Sequence, residues 1–414
     1  MSDSDSSYTT VTDSGSTSSD DVILQEDNIQ LEGCVLKNYN IICELGRGGF
    51  SIVWLAYSIN TLNYYALKVQ NPKEYKDGLL EIKFVQRLPK EPAVFNNLIE
   101  YFIEERNNKK YLCSVWELHC SNLDCIMRKG KYPNGLPLRM IKSIMEQVIT
   151  GVNILHNDLK VFHGDIKTDN ILIKGISKKN KFIIENYNEH NFYERYRKAK
   201  EQLWVNSGKS VDTINTMKKE VKLKLRAKIH KEINDIVLLK LESTEISSYD
   251  VDDKYLDDIK ISIADFGTHC TEDDYYTEPF GTRYYFAPEV ILMGKCSYPV
   301  DIWEIGCMFY ELVTGQILFD PIKDSKHTRD YYHLCLINDT CGEFPKEFLR
   351  KTEHYKEFFD SKFRIKNYIP EEDRLSRKLK ECNISDEIYN LVYIFLSNCL
   401  QIDPKKRRFL LPSS

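Results

Sequence analysis

Hydrophobic and polar positions change rhythm several times along the chain, and each change predicts a different element. Residues 1–25 are Ser, Thr and Asp with almost no apolar side chains, so they read as a disordered acidic tail. From Tyr39 to Val69 the pattern is strand-like. Ile41-Ile42-Cys43 leads into a glycine turn, Ile52-Val53-Trp54-Leu55-Ala56 leaves it, and Tyr64-Tyr65-Ala66-Leu67-Lys68-Val69 forms another strand. A helix is predicted from Lys76 to Leu88, and a buried strand from Tyr111 to Leu118. Leu138 to Leu155 puts Ile141, Ile144, Met145, Val148, Ile149, Val152 and Leu155 on one broad face, the period of an amphipathic helix.

Residues 176–258 differ in texture, being polar and rich in Lys, Asn and Glu. Two helices are predicted there, Tyr193 to Val205 and Met217 to Leu241, on either side of Ser207-Gly208. The second carries Lys218, Lys219, Lys222, Lys224, Arg226 and Lys228 on its expected outer face. Such a row is either a solvated helix face or a regulatory, localisation or RNA-touching segment. The chain then returns to compact, mostly helical patterning, without internal repeats.

Composition narrows the function class. At 414 residues the chain is too long for one ordinary core. A net charge of −5 argues against DNA or RNA as the main ligand. The longest apolar run near the C-terminus, Ile388 to Leu400, is interrupted by Asn390, Ser397 and Asn398, and it falls short of the ~20 residues a bilayer span needs. The first residues do not resemble a signal peptide. The 12 cysteines are scattered without metal-ligand spacing, as expected of reduced thiols in an intracellular protein. The expectation is therefore a cytoplasmic or nuclear protein, monomeric, with no membrane partner.

The chemistry sits in four places. Leu45-Gly46-Arg47-Gly48-Gly49-Phe50-Ser51-Ile52-Val53 is a glycine-rich turn between strands, where backbone N–H groups can approach phosphate oxygens without a Cβ in the way. Ser51 stands where such loops often have a third glycine. Fifteen residues past Val53, Ala66-Leu67-Lys68 ends a strand with a cation able to reach phosphates, and Glu81 on the predicted helix is its candidate counter-ion. His163-Gly164-Asp165-Ile166-Lys167-Thr168-Asp169-Asn170-Ile171-Leu172-Ile173 offers a base (Asp165), a cation (Lys167) and a metal ligand (Asn170) in one loop. Ile261-Ser262-Ile263-Ala264-Asp265-Phe266-Gly267 adds a second metal ligand, Asp265. One carboxylate, one amide oxygen and phosphate oxygens suit Mg²⁺.

This order of motifs resembles a eukaryotic-type serine/threonine protein kinase. Ala287-Pro288-Glu289, Asp301-Ile302-Trp303-Glu304-Ile305-Gly306 and Asp403-Pro404-Lys405-Lys406-Arg407 match further landmarks of that family. Gly135-Leu136-Pro137-Leu138, Ile317-Leu318-Phe319-Asp320-Pro321, Cys341-Gly342-Glu343-Phe344-Pro345 and Lys356-Glu357-Phe358-Phe359 narrow it. They resemble the serine/arginine-rich-protein-specific kinases of the CMGC group, which also split the domain with a spacer. The resemblance implies an α+β, bilobal fold: a small antiparallel-sheet N-lobe, a larger mainly helical C-lobe and a helical spacer insert. The implied divisions are the tail at 1–25, the N-lobe at 35–120, the C-lobe at 121–175 and 259–411, and the spacer at 176–258.

By position, the resemblance assigns ATP to the glycine turn, Ala66, Lys68, Glu81, the hinge residues Glu117 and His119, and Leu172, with Trp116 as gatekeeper. Asp165 and Lys167 become catalytic, and Asn170 and Asp265 the Mg²⁺ ligands. Thr282, Glu289, Asp301 and Arg407 take structural or substrate-loop roles. The implied partners are protein substrates, with Arg/Ser-rich ones as the family's preference. There are also departures. Gly164 replaces the Arg that pairs with an activation-loop phosphate, which implies activity without that modification. Phe286 replaces a usual Arg near the substrate pocket, and Asp320, Asp324, Asp330 and Glu343 are only a partial acidic docking surface. A pseudokinase-like binding scaffold is the alternative, although Lys68, Asp165, Asn170 and Asp265 are all present.

Overall fold

A computed structural model describes residues 30–106, 108–205, 219–247, 250–271, 273–274, 276, 278–371, 373–382 and 384–409. The predicted acidic tail at 1–25 lies outside the described residues, as do Ser207-Gly208, Met217 and Lys218.

Strands β1 (Val35–Leu36), β2 (Tyr39–Arg47), β3 (Ser51–Ser58), β4 (Tyr64–Gln70), β5 (Leu98–Arg106) and β6 (Lys109–Trp116) form one antiparallel sheet in the order β1-β2-β3-β4-β6-β5. Strand alternation sends Trp54, Leu67, Val69, Cys113 and Val115 to one face, where they pack with Leu31, Leu36 and Tyr39. Val53, Leu55, Ala66 and Lys68 lie in register on the other face. Helix α1 (Tyr75–Val85) follows β4. It ends three residues before the predicted Leu88, where tighter bonds from Arg87 N to Phe84 O and Leu88 N to Val85 O close the last turn ahead of Pro89. β6 starts two residues before the predicted Tyr111, because its hairpin with β5 carries the ladder through the exposed Lys109 and Lys110.

The second lobe begins with β7 (His119–Asn122), α2 (Leu123–Arg128) and α3 (Leu138–Ile154). Asn122 caps α2 by accepting from Cys125 N at 2.8 Å. The predicted apolar stripe of α3 is buried along its length, and burying each such side chain stabilises the lobe by roughly 1.5–3 kcal/mol. β8 (Ile171–Lys174) and β9 (Ile261–Ile263) join β7 in a small sheet of order β7-β8-β9, which carries the candidate catalytic loop at its edge.

Between β8 and β9 the insert forms α4 (Lys178–Glu189), α5 (Phe192–Val205) and α6 (Lys219–Glu242). It is not a solvated appendage. Ile183, Tyr187, Phe192, Ile229, Ile233 and Val237 bury themselves against Ile42, Leu55 and Tyr57, on the same sheet face as Val53 and Lys68. Arg226, expected on the outer basic face of its helix, is buried: its Nε donates to Asn40 Oδ1 (2.7 Å) and its Nη1 to Lys37 O (2.5 Å). Asn234 donates to Ile42 O at 3.0 Å, and His230 Nε2 lies 2.9 Å from Ile41 O. Because Ile41 O can only accept, His230 carries its proton on Nε2, and its Nδ1 accepts from Tyr187 OH at 2.9 Å. Asn40 Nδ2 in turn donates to Tyr187 OH. Period alone could not reveal this, since polar residues paired to a backbone edge look like solvated ones in a helical pattern.

That network makes stability pH-dependent. Burial pulls His230 down to about 4, while the unfolded chain takes up its proton near 6.5. Below that pH the unfolded state binds more protons, so stability is complete above about pH 7 and falls as the pH drops toward 4. Burial also holds His333 well below its ordinary value, which acts in the same direction. We expect His230 alone to remove on the order of 2 kcal/mol between pH 6.5 and 5. Urea melts should show His230→Gln as markedly less stable than wild type at pH 7.5, with the gap narrowing at pH 5. A constant gap would refute the assignment.

The chain closes with α7 (Pro299–Thr314), α8 (Arg329–Cys341), α9 (Arg374–Glu381) and α10 (Asp386–Cys399) around Trp303, Tyr310, Phe319 and Phe395, all fully buried. Pro299 opens α7 and Gly315, at φ 73°, ends it. All twelve cysteines are free thiols in the structure.

Candidate active site

The glycine turn joins β2 to β3 and is held by Gly48 N donating to Ser51 O at 2.9 Å. A Cβ at Gly46 would meet no atom within 4 Å, so the strand lies open at that point. Phe50 is 64% exposed at the tip, Gly49 lies beside it, and Leu45 packs toward the insert. Two side chains of the predicted turn face elsewhere: Arg47 bonds Glu44 at 2.6 Å, and Ile52 packs on the opposite sheet face beside Trp54. Only their backbone can line the turn.

Val53 pairs in register with Lys68, and Lys68 Nζ meets Glu81 Oε2 on α1 at 3.0 Å. Asp265 Oδ1 lies 3.8 Å from the same nitrogen. Desolvation disfavours the ammonium, but Glu81 and then Asp265 outweigh it and raise Lys68 above its usual value. Desolvation likewise opposes the Asp265 carboxylate, yet Lys68, His163 and Lys167 hold it below the ordinary range. Asp265 sits at φ 64°, a conformation that costs a non-glycine residue energy and marks a constrained position. Ala66 and Leu172 are half-buried on either side of the cleft. Trp116 is buried, its Nε1 donating to Ser114 at 2.8 Å. In the connection that follows, Glu117 N donates to Asn97 O, and the His119 ring bridges Glu117 O (3.1 Å) and Ser262 Oγ (3.0 Å).

Asp165 has its neighbours fixed around it. Lys167 Nζ reaches its Oδ2 at 2.9 Å, and Thr282 donates to Oδ1 at 2.7 Å. Lys167 also donates to Thr282 Oγ1 at 2.6 Å. Asn170 Nδ2 donates to Asp165 O and Oδ2, so the amide oxygen is its remaining side-chain acceptor. The loop hangs from α7: Asp301, fully buried, accepts from His163 N and Gly164 N, each at 2.9 Å, and lies 2.7 Å from His156 Nε2. Glu304, one turn along, accepts from Ile166 N at 2.7 Å. Burial, Asp301 and Asp165 push Glu304 well up. Its part was not foreseen; its spacing of three from Asp301, on one helix face, was the available signal.

Gly164 and Gly281 pass unusually close. Gly281, at φ 84°, would drive a Cβ to 2.5 Å from Gly164 O. Gly164, at φ 73°, would put one 3.0 Å from the Phe280 ring. Phe280 also packs on Phe162 and Tyr276, and Phe162 and Cys270 exchange backbone bonds at 2.9 and 3.0 Å. The segment after Asp265 is thus held by apolar packing and a backbone bridge. Further on, Glu289 receives both guanidinium nitrogens of Arg407, at 2.5 and 2.7 Å.

A model of the protein kinase domain matches residues 39–185 and 251–409, on either side of the insert. The chain belongs to the protein kinase family. Three curated relatives show the likeness further. A serine/threonine-protein kinase of Acanthamoeba polyphaga mimivirus is 28% identical over 430 residues, 83% of this chain and 79% of the relative. The serine/threonine-protein kinase SRPK of Physarum polycephalum is 28% identical over 389 residues, 90% and 83%. SRSF protein kinase 3 of Mus musculus is 24% identical over 450 residues, 80% and 77%. This kinase therefore has the expected bilobal α+β fold and is an ATP-dependent serine/threonine protein kinase, similar within its family to the serine/arginine-rich-protein-specific kinases. Among the described residues no helix is long and apolar enough to cross a membrane.

Proposed function

We propose that this kinase moves the ATP γ-phosphoryl group with Asp165 as the proton acceptor for a substrate hydroxyl and Lys167 as the cation that meets the transferred charge. The observation carrying this reading is the cluster around Asp165, with Lys167 at 2.9 Å and Thr282 at 2.7 Å, in the loop whose Asn170 O accepts from Ala264 N, next to Asp265, at 2.9 Å. Lys68, braced by Glu81, binds phosphate; Val53, Ala66 and Leu172 enclose the adenine; backbone groups of Glu117 and His119 bond its edge. The donor set fits a small hard cation shared with phosphates. Among the described residues no group of three His, Cys, Asp or Glu could hold a metal alone, whereas Asp265 and the oxygen end of Asn170 supply two oxygen ligands. Bound there, Mg²⁺ supplies charge neutralisation to the phosphates.

The reading extends to activity without activation-loop phosphorylation. Phe280 packs where a side chain at 164 would start, and Thr268 donates to His163 O at 3.1 Å, so the segment has contacts that do not need a phosphate. Phosphatase-stripped recombinant protein is expected to retain its activity; a loss of more than about tenfold, typical of a phosphate-ordered loop, would reject this.

Arg/Ser-rich proteins are the proposed substrate class, on the likeness to SRPK and SRSF protein kinase 3. Of the four acidic candidates, Asp320, Asp324 and Glu343 are exposed. Asp330 is committed to Arg283, whose guanidinium also lies 4.6 Å from the Phe286 ring. A peptide array is expected to favour acceptors beside Arg, with Asp320→Asn and Glu343→Gln weakening that preference. An array indifferent to Arg would refute it.

A further inference from the structure

Neighbouring side chains in the connection between β6 and β7 make very different contacts. Leu118 packs with the apolar cluster that joins the insert to β2 and β3. The ring of His119 meets β9 instead: its Nε2 lies 3.0 Å from Ser262 Oγ, and its Nδ1 lies 3.1 Å from Glu117 O. A carbonyl oxygen can only accept, so Nδ1 carries the ring proton. In the neutral ring Nε2 then accepts from the Ser262 hydroxyl. Burial holds His119 below its ordinary value, which favours that neutral ring.

Ser262 gives the ring a rigid anchor. It is fully buried in β9, between Ile261 and Ile263, which pack into the main core. Strand alternation therefore turns its hydroxyl to the other side. Its register partner on β8 is Leu172, one of the two residues assigned to enclose the adenine. A buried hydroxyl costs free energy unless it is paired, and His119 is the partner the fold brings to it. The other end of the ring acts on Glu117. Glu117 N donates to Asn97 O at 3.1 Å, so the backbone group that Glu117 can offer a ligand is its carbonyl. A carbonyl oxygen has two lone pairs; the His119 ring takes one and leaves the other. Turning the peptide between Glu117 and Leu118 would break the bond to the ring, so the direction of that carbonyl is fixed.

We propose that the His119 side chain is a positioning residue for nucleotide recognition: anchored on Ser262, it aims the Glu117 carbonyl at the exocyclic amino group of adenine. This role rests on the assignment of the adenine edge to the backbone of Glu117 and His119. It adds to that assignment a side-chain pair, His119 and Ser262, that sets how strongly the site prefers a purine with a 6-amino group. A carbonyl already held in place gains more from that amino group than one that must be ordered on binding.

The test is calorimetric binding of two nucleotides with Mg²⁺ to the full chain: ATP, and purine riboside triphosphate, which lacks the amino group. Wild type is compared with His119→Leu and Ser262→Ala. Wild type is expected to prefer ATP by roughly fivefold, the worth of one hydrogen bond. His119→Leu should weaken ATP by about that factor and purine riboside triphosphate by less than about twofold, so the preference disappears. Ser262→Ala should reduce the preference partway, because Nδ1 still donates but the ring has lost its anchor. Should thermal melting show that His119→Leu does not fold, the milder Ser262→Ala carries the same comparison. Equal weakening of both nucleotides would mean that His119 only supports the local structure, and would overturn the proposal. So would an unchanged preference in both variants, which leaves the hinge assignment standing. A wild type that binds the two nucleotides equally would instead overturn the hinge assignment, and the proposal with it.

Discussion

Asp165→Asn is expected to lower turnover by roughly 100- to 10,000-fold while leaving nucleotide affinity within a few-fold of wild type. The asymmetry follows from where the side chain sits. Its oxygens face Lys167, Thr282 and Asn170, the proposed acceptor end, while Lys68, Glu81 and Asp265 form a separate cluster, the proposed phosphate end. Asparagine keeps the shape and some of these bonds but cannot take a hydroxyl proton. Single-turnover kinetics on an Arg/Ser peptide, with calorimetric ATP binding alongside, separate the two effects. Equal inactivity of wild type and Asp165→Asn across broad substrates would favour the scaffold alternative. Loss of ATP binding in the variant would show that Asp165 holds the nucleotide site together instead.

Arg407→Met is expected to destabilise the C-lobe by about 3–5 kcal/mol, the penalty for stranding a buried carboxylate. Arg407 and Glu289 side chains are 0% and 2% exposed. The guanidinium also donates to Gln401 O (2.7 Å), Pro299 O (3.0 Å) and Ile402 O (3.3 Å), and lies 5.0 Å from the Trp303 ring centre. One side chain thus ties the start of α7 and the C-terminal segment to the Ala287-Pro288-Glu289 turn. Because the main cost comes from the unpaired Glu289, Arg407→Met combined with Glu289→Gln should cost less than the two changes summed. Urea midpoints on the four proteins of the cycle measure this. Additivity, or a loss below about 1 kcal/mol for Arg407→Met, would show the pair to be weakly coupled.

These two positions also mark what could be read without coordinates. Lys68, Asp165, Asn170 and Asp265 could be picked out as candidates because phosphoryl transfer calls for particular groups in a particular chain order. The long α3 stripe was equally legible, since a buried amphipathic helix must repeat every 3.6 residues. Glu304 was harder: an acid in an apolar helix announces burial with a partner, but not that the partner is Ile166 N. Arg226 was misread as surface. A cation on a polar helix has the same pattern whether it meets water or Asn40 and Lys37 O.

The chain by itself determined its family, its two lobes and the residue types of its catalytic loop, because local periodicity and motif order are properties of neighbours in sequence. The tertiary structure alone decided that α4 and α6 lie against β2 and β3, that Phe280 occupies the space beside Gly164, and that β5 turns Ile99, Tyr101 and Ile103 outward. Those contacts join residues far apart in the chain, where many polar and apolar patterns are compatible with many partners, and only packing against a specific surface selects one.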